Sequence, residues 1–301
     1  MLAVLGSLIV AGGAHAADTG KHAQLRDAAT VGPLSYHPDF QARATALNLK
    51  SSSALVIELG EGEEIYAKNT DAVVPIASIT KLMTAMVVLD ERLPLDEHVK
   101  VTSDDIDDIK GTQSRLRVGS LVTRGDLLRL ALMSSENRAA AALTRAYPGG
   151  RPVFVAAMNQ KAVELAMWHS RFVDGTGLSR DNVSTARDLA RMVRAAYTYP
   201  EIREYTTETA HTVRLRDGRA LQYANSNRLV QSPNWRIGLS KTGYISEAGR
   251  CLVMQAVIAT QPVIIVLLDS WGKLTRIGDA NRIKKWMEGG GERPRPARPE
   301  S

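Results

Sequence analysis

"PIASITKLMTAMVVL", Pro75 to Leu89, decides how the rest of this 301-residue chain is read. Ile79, Leu82, Met83, Met86 and Val87 recur at the i, i+3, i+4, i+7, i+8 spacing of one helical stripe. Ala85 and Val88 widen the apolar surface, so the helix is expected to be buried on more than one side. Pro75 keeps the chain out of a helix just upstream. Ser78 then falls in the first turn, and Lys81 lies one turn on along the same face. A helix N-terminus favours an anion beside Ser78 and disfavours an ammonium at Lys81. Burial lowers a lysine pKa as well. A partly neutral lysine accepts protons, so the pair reads as a serine nucleophile beside a lysine base.

The same spacing recurs in "SWGK", Ser270 to Lys273. That copy contains a glycine and follows the apolar run "PVIIVLLD", which marks a strand exit, and no chemistry is assigned to it. One S-x-x-K match is expected by chance in a chain of about 300 residues, so the context of the first match has to decide.

With 44% hydrophobic and 23% charged residues, the composition fits one or two folded domains. The net charge of +6 and pI near 9.5 are mildly basic, and part of the charge sits in the tail "GGGERPRPARPES". Aromatic residues make up 5%, and no basic helix is interleaved with them, so no nucleic-acid partner is expected. The histidines form no H-E-x-x-H or other paired spacing, so neither a metal site nor a cofactor is expected. The single cysteine, Cys251, lies in "RCLVMQAVIA" and reads as a buried strand residue. Neither G-x-S-x-G nor the phosphate-binding G-x-x-x-x-G-K-[ST] occurs.

"MLAVLGSLIVAGGAHA" has an apolar core and closes on Ala14-His15-Ala16, a small-x-small cleavage pattern. Residues 1–16 are therefore expected to be a signal peptide cleaved near Ala16, too short to span a bilayer. Residues 17–50 show no periodicity and read as a poorly ordered leader, and residues 289–301 as a disordered Pro/Arg-rich tail. In between, "SALVIELGEGEEIYAKN" reads as two strands around a glycine turn. "GDLLRLALM", the stretch after Asn137, "PVFVAAMNQKAVELAM" and "TARDLARMVRAA" read as helices, the last with Thr185 as N-cap. "HTVRLRDGRALQY" reads as a hairpin around Asp217-Gly218. "WRIGLSKTG", "GRCLVMQAVIAT" and "PVIIVLLD" read as strands before a closing helix, "RIGDANRIKKWM". Strands at both ends with helices between them predict one sheet built from both termini and a helical lobe inserted between.

Two further motifs follow the first. Ser135-x-Asn137 in "MSSENRAA" falls between two helices, and Lys241-Thr242-Gly243 in "SKTGY" ends a strand. Alone, Ser135 fits an N-cap equally well, and Lys241 a solvated strand-end charge. The order S-x-x-K, S-x-N, K-T-G in these contexts is the set of the penicillin-interacting serine enzymes.

"PIASITKLMTAMVVLDERLPLDE", "LALMSSENRAA", "NVSTARDL" and "KTGYISEAGRCLVM" resemble the low-molecular-mass penicillin-binding proteins, a serine D,D-peptidase family, over roughly residues 53 to 288. The resemblance implies an α/β (α+β) fold of the β-lactamase/transpeptidase type over residues 51–288, with a five-stranded antiparallel sheet flanked by helices and an all-helical subdomain. It implies that Ser78, Lys81 and Ser135 are catalytic, and that Asn137, Lys241, Thr242, Gly243 and Tyr244 bind substrate. On this reading Lys241 and Thr242 hold the substrate's anionic end, and Gly243 lets a peptide backbone lie against the strand edge. Ser78 and Tyr244 supply oxyanion-hole N–H groups. Arg276, just before the closing helix, is expected to help grip a terminal carboxylate and to serve a secondary carboxypeptidase activity. The expected main reaction is endopeptidase cleavage of D-alanyl bonds in peptidoglycan cross-links, in the periplasm. The expected partners are peptidoglycan peptides, β-lactam antibiotics and other cell-wall hydrolases, with no stable membrane anchor. The alternative within the family is a D-alanyl-D-alanine carboxypeptidase. A class A-type β-lactamase is disfavoured by the lack of an E-x-x-L-N motif in the helical lobe, and a non-catalytic penicilloyl-binding sensor by the intact set of motifs.

Overall fold

The computed structural model describes residues 47–60 and 62–289. The signal-peptide segment, the leader up to residue 46 and the tail from residue 290 lie outside those bounds. The packed chain begins earlier than the sequence pattern suggested. Leu47 and Leu49 are buried with Tyr66 and Trp286, so the last residues assigned to the leader belong to the domain.

Five antiparallel strands form the main sheet: β1 (Ser51–Glu58), β2 (Glu64–Lys68), β9 (Arg236–Ile245), β10 (Gly249–Ile258) and β11 (Gln261–Ser270). Their order is β2-β1-β11-β10-β9, so the first strand pairs with the last, Ser51 opposite Ser270 and Ile57 opposite Ile264. This is the sheet from both termini that the sequence predicts. Its central strands read as unbroken apolar runs because both faces are covered. Leu55, Ile57, Val253, Ile264 and Val266 face one core, and Ala54, Val56, Leu252, Ile265 and Leu267 face the other.

The helical lobe fills the chain between β2 and β9. It comprises α1 (Thr80–Asp90), α2 (Arg124–Met133), α3 (Asn137–Arg145), α4 (Gly150–Glu164), α5 (Ala186–Ala196) and α6 (Pro200–Thr207). α1 packs against α2, α3, α4 and α5, and α5 packs against the sheet. α1 is buried from Thr80 to Val88, which is why its apolar positions extend beyond one stripe. α6 was not evident in the sequence: eight residues with two threonines at the end carry little helical periodicity. The Thr185 side chain caps α5 by accepting from Asp188 N, as its position implies. Smaller ladders join β3 (Val74–Pro75) to β6 (Val183–Ser184), β4 (His98–Lys100) to β5 (Leu121–Thr123), and β7 (Ala210–Arg214) to β8 (Ala220–Ala224). The last is the expected hairpin around Asp217-Gly218, with Gly218 at φ 82°.

The closing helix α7 (Thr275–Glu288) covers the second core, and its Asp279 is fully buried. Asp279 accepts from Lys50 N at 3.0 Å, Ser51 N at 2.7 Å and Ser51 Oγ at 2.6 Å, and so fixes the start of β1. Ser270 of the second S-x-x-K copy is spent here, 2.6 Å from Ser51 Oγ, while Lys273 is exposed. Asp279→Ala leaves buried donors without an acceptor. It is expected to lower unfolding stability by about 2–3 kcal/mol, read from the urea midpoint. An unchanged midpoint would show that this carboxylate does not hold the sheet to α7.

Candidate active site

Ser78 sits in a 3-10 turn, Ala77–Ile79, that runs directly into α1. The entry is fixed by the β3–β6 ladder and by Ile76 N donating to Asn182 O at 3.1 Å. Ala77 is held at φ 49°, a conformation that L-residues rarely adopt. Two glycines clamp the turn. A Cβ on Gly177 would come 2.1 Å from Ala77 O, and one on Gly243 would come 2.9 Å from Ile76 O and 3.1 Å from Ser78 N. Gly243 is thus glycine because the nucleophile turn packs against its α-carbon.

Lys81 is fully buried. Its Nζ lies 2.9 Å from Ser78 Oγ, 2.7 Å from Asn137 Oδ1 and 2.6 Å from Thr176 O. Burial lowers its pKa to about 7, against an opposing pull from Asp174, Glu136 and Asp107. Charging it therefore costs about 5 kcal/mol more than charging a lysine in water. As an ammonium, Nζ has an N–H for each of the three oxygens, Ser78 Oγ included. Asn137 Oδ1 and Thr176 O can only accept, so in the neutral amine they take the two N–H bonds and the lone pair is left for the Ser78 hydroxyl.

The acceptors around Lys81 are themselves fixed. Asn137 Nδ2 donates to Thr112 Oγ1 at 3.0 Å, which sets the amide so that its oxygen faces Lys81. The Thr112 hydroxyl in turn donates to Asp107 at 2.6 Å. Asp174 accepts from Thr176 N, Thr176 Oγ1, Gly177 N, Ser179 N and Asn182 Nδ2, which shapes the loop that presents the Thr176 carbonyl. Asp107, Thr112, Asp174 and Thr176 were not singled out in the sequence. "DGTG", Asp174 to Gly177, was the available sign, since a carboxylate ahead of two glycines marks a tight loop.

Ser135 joins α2 to α3 at φ 62°, a second strained residue at the site. It does not cap α3; Glu136 does, by accepting from Arg138 N. Its Oγ accepts from Lys241 Nζ at 2.9 Å. Lys241 is buried too, so it is not a solvated strand end. Burial first, then Lys81 and Arg276, push its pKa well below the ordinary range. Thr242 Oγ1 donates to Ser226 Oγ at 2.8 Å, a partner the sequence did not reveal. Arg276 Nη1 donates to Gly243 O at 3.2 Å, while its buried Nε has no partner. Among the described residues, neither Lys241 nor Arg276 has a carboxylate within ion-pair reach. Tyr244 is exposed on β9, whose outer edge is unpaired in the main sheet. Ser78, Lys81 and Asn137 are thus joined by hydrogen bonds, as are Ser135 and Lys241, while Gly243 packs on the Ser78 turn and accepts from Arg276. Among the described residues, no three His, Cys, Asp or Glu side chains come together as a metal site. Cys251 is buried behind Gly243, and burial pushes its thiol up to about 11.

A family model described as D-alanyl-D-alanine carboxypeptidase, peptidase S11, matches residues 40–272. A D-alanyl-D-alanine endopeptidase of Pseudomonas aeruginosa is 51% identical over 243 residues, 80% of this chain and 78% of that protein. One from Escherichia coli is 48% identical over 255 residues, 84% of this chain and 82% of that protein. The crystal structure of the Streptomyces K15 DD-transpeptidase matches with a TM-score of 0.74 at 29% identity, covering 79% of this chain and 97% of that one.

If Lys81 accepts the Ser78 proton, it does so only when neutral, and it is protonated below its pKa of about 7. Covalent labelling of Ser78 by a fluorescent β-lactam is therefore expected to speed up as pH rises, about tenfold per unit below pH 7, and to level off above it. Lys81→Arg, which cannot lose its proton, is expected to label at least about a hundredfold more slowly. A flat pH profile would place the base elsewhere.

Proposed function

Because the chain belongs to the peptidase S11 family of D-alanyl-D-alanine carboxypeptidases and their endopeptidase relatives, we propose that it is a serine D,D-peptidase that cleaves D-alanyl bonds in peptidoglycan cross-links through an acyl-enzyme. The single observation that carries the chemistry is the buried Lys81 amine 2.9 Å from Ser78 Oγ, with Asn137 Oδ1 and Thr176 O as its other neighbours. The endopeptidase preference rests on the two relatives of that name, at 51% and 48% identity.

Ser78 Oγ attacks the D-alanyl carbonyl carbon while its proton passes to Lys81 Nζ. The developing oxyanion accepts from the N–H groups of Ser78 and Tyr244. Collapse breaks the C–N bond. Lys81 returns the proton through the Ser135 hydroxyl to the departing nitrogen, leaving an ester on Ser78. Neutral again, Lys81 takes a proton from a water molecule that attacks the ester, and returns it to Ser78 Oγ as the ester C–O bond breaks and frees the enzyme. Asn137 keeps one N–H for a substrate carbonyl, because only the other is used by Thr112. A β-lactam enters by the same attack and leaves an acyl group on Ser78.

Lys241, Thr242 and Arg276 receive the carboxylate of the leaving group. A terminal D-alanine carries that carboxylate beside the scissile nitrogen, and so does the D-centre of diaminopimelate in a cross-link. Arg276 accordingly serves both reactions, not the carboxypeptidase reaction alone. Its planar fork and partnerless Nε suit this anion. We place the protein in the periplasm from the signal-like residues 1–16; among the described residues, no helix is long and apolar enough to cross a membrane.

Mature protein incubated with purified cross-linked and linear muropeptides, followed by mass spectrometry, tests the reading. Dimers are expected to fall to monomers faster than D-alanine is released from linear pentapeptides. Ser78→Ala is expected to abolish both reactions and β-lactam labelling, with an unchanged circular dichroism spectrum. Release of D-alanine with persistent dimers would make the enzyme a carboxypeptidase. In Arg276→Ala both reactions are expected to slow together, by about tenfold to a hundredfold, and loss of only one would separate the two leaving groups.

A further inference from the structure

One ion pair joins the β9–β10 turn to the loop that carries Thr112. Lys110 Nζ meets Glu247 Oε1 at 2.5 Å, with the two side chains 27% and 33% exposed. Glu247 lies in the turn between β9 and β10, three residues beyond Tyr244. Lys110 lies in the loop whose Thr112 holds the amide of Asn137. That loop is stiffened by Asp107, which accepts from Ile109 N and Lys110 N through one oxygen and from Thr112 N and Thr112 Oγ1 through the other. Asp107 is therefore saturated within its own loop, and the Lys110 ammonium pairs with Glu247 of the β9–β10 turn. Hydrogen bonds from Lys110 and Ser246 hold the Glu247 carboxyl at about 2, so it is ionised throughout the working range.

On the reading above, the leaving-group carboxylate lies at Lys241 and Thr242, and the attacked carbonyl lies at Ser78 and Tyr244. The donor peptide must then run the other way along the β9 edge, past Tyr244 toward the Ser246–Ala248 turn. The residue just before the attacked D-alanine is the diamino acid of the donor stem. When it is diaminopimelate and not itself cross-linked, its side chain ends in an ammonium and a carboxylate on one carbon.

We propose that Lys110 and Glu247 form the specificity site for this zwitterionic end, Lys110 taking its carboxylate and Glu247 its ammonium. The inference rests on the peptidase reading. The exchange is favourable on charge count alone. One part-exposed ion pair, worth less than about tenfold in an equilibrium constant, gives way to two pairs once the two side chains swing apart. Substrates that lack either charge would leave one of the two partners unmatched.

The test uses cross-linked dimers whose donor stem carries diaminopimelate with a free D-centre, with that carboxylate as the carboxamide, or with that amine acetylated. For the unaltered protein, kcat/KM is expected to be about tenfold higher for the free D-centre than for either modified form, a difference of about 1.4 kcal/mol. Lys110→Met is expected to bring the ratio against the carboxamide close to one, and Glu247→Gln the ratio against the acetylated amine. In the exchanged variant, Lys110→Glu with Glu247→Lys, an ion pair can re-form with the charges transposed. If recognition is by position, its ratios stay near one; if they return to those of the unaltered protein, the pair is only a strap and the proposal falls. A full preference retained in Lys110→Met also overturns it. Equal cleavage of all three dimers by the unaltered protein removes this inference but leaves the peptidase reading, whereas failure to cleave any of them removes both.

Discussion

A fully buried lysine amine with three oxygens in reach organises this molecule. Lys81 is buried in α1, the helix on which the rest of the helical lobe packs, and the cost of charging it there sets its protonation state. Two of its neighbours, the Asn137 amide oxygen and the Thr176 carbonyl, can only accept. Each is held by further bonds, Asn137 through Thr112 and Asp107, and Thr176 through the loop that Asp174 organises. Loops far apart in sequence thus converge on one nitrogen and hold it beside Ser78. The backbone carries local strain there. Ala77 and Ser135 both adopt left-handed conformations, and two glycines admit the turn that bears Ser78.

A second constraint is a pair of buried cations without a carboxylate. Arg276 sits close enough to Lys241 to depress its protonation, and among the described residues no carboxylate pairs with either. A protein that kept such a cluster for stability alone would be expected to pair it. Two lysines with lowered pKa values thus lie beside two serine hydroxyls, Lys81 beside Ser78 and Lys241 beside Ser135.

Much of this was legible in the sequence. The helix of Pro75 to Leu89, the two-ended sheet and the positions of Ser78, Lys81, Ser135, Asn137 and Lys241 follow from periodicity, burial and motif order. The features that escaped share a physical cause. Thr176 acts through a backbone carbonyl, which every residue has, and Thr112 and Ser226 act through single hydroxyls in irregular segments. Nothing in their spacing marks them. The packing of Gly243 on the Ser78 turn was not legible either, because a missing side chain does not say which neighbour needs the space. The domain start was set too late, because two leucines, Leu47 and Leu49, are too few to form a pattern.

The protonation state of Lys81 is the point on which the chemistry turns, and it can be observed without any substrate. Protein with 13C at the lysine ε-carbons and an assigned Lys81 resonance can be titrated by NMR over the pH range in which it stays folded. Burial among fixed acceptors predicts a midpoint for Lys81 near 7. A midpoint near the ordinary lysine value of about 10.4 would mean that the amine is charged at neutral pH and that another group takes the Ser78 proton.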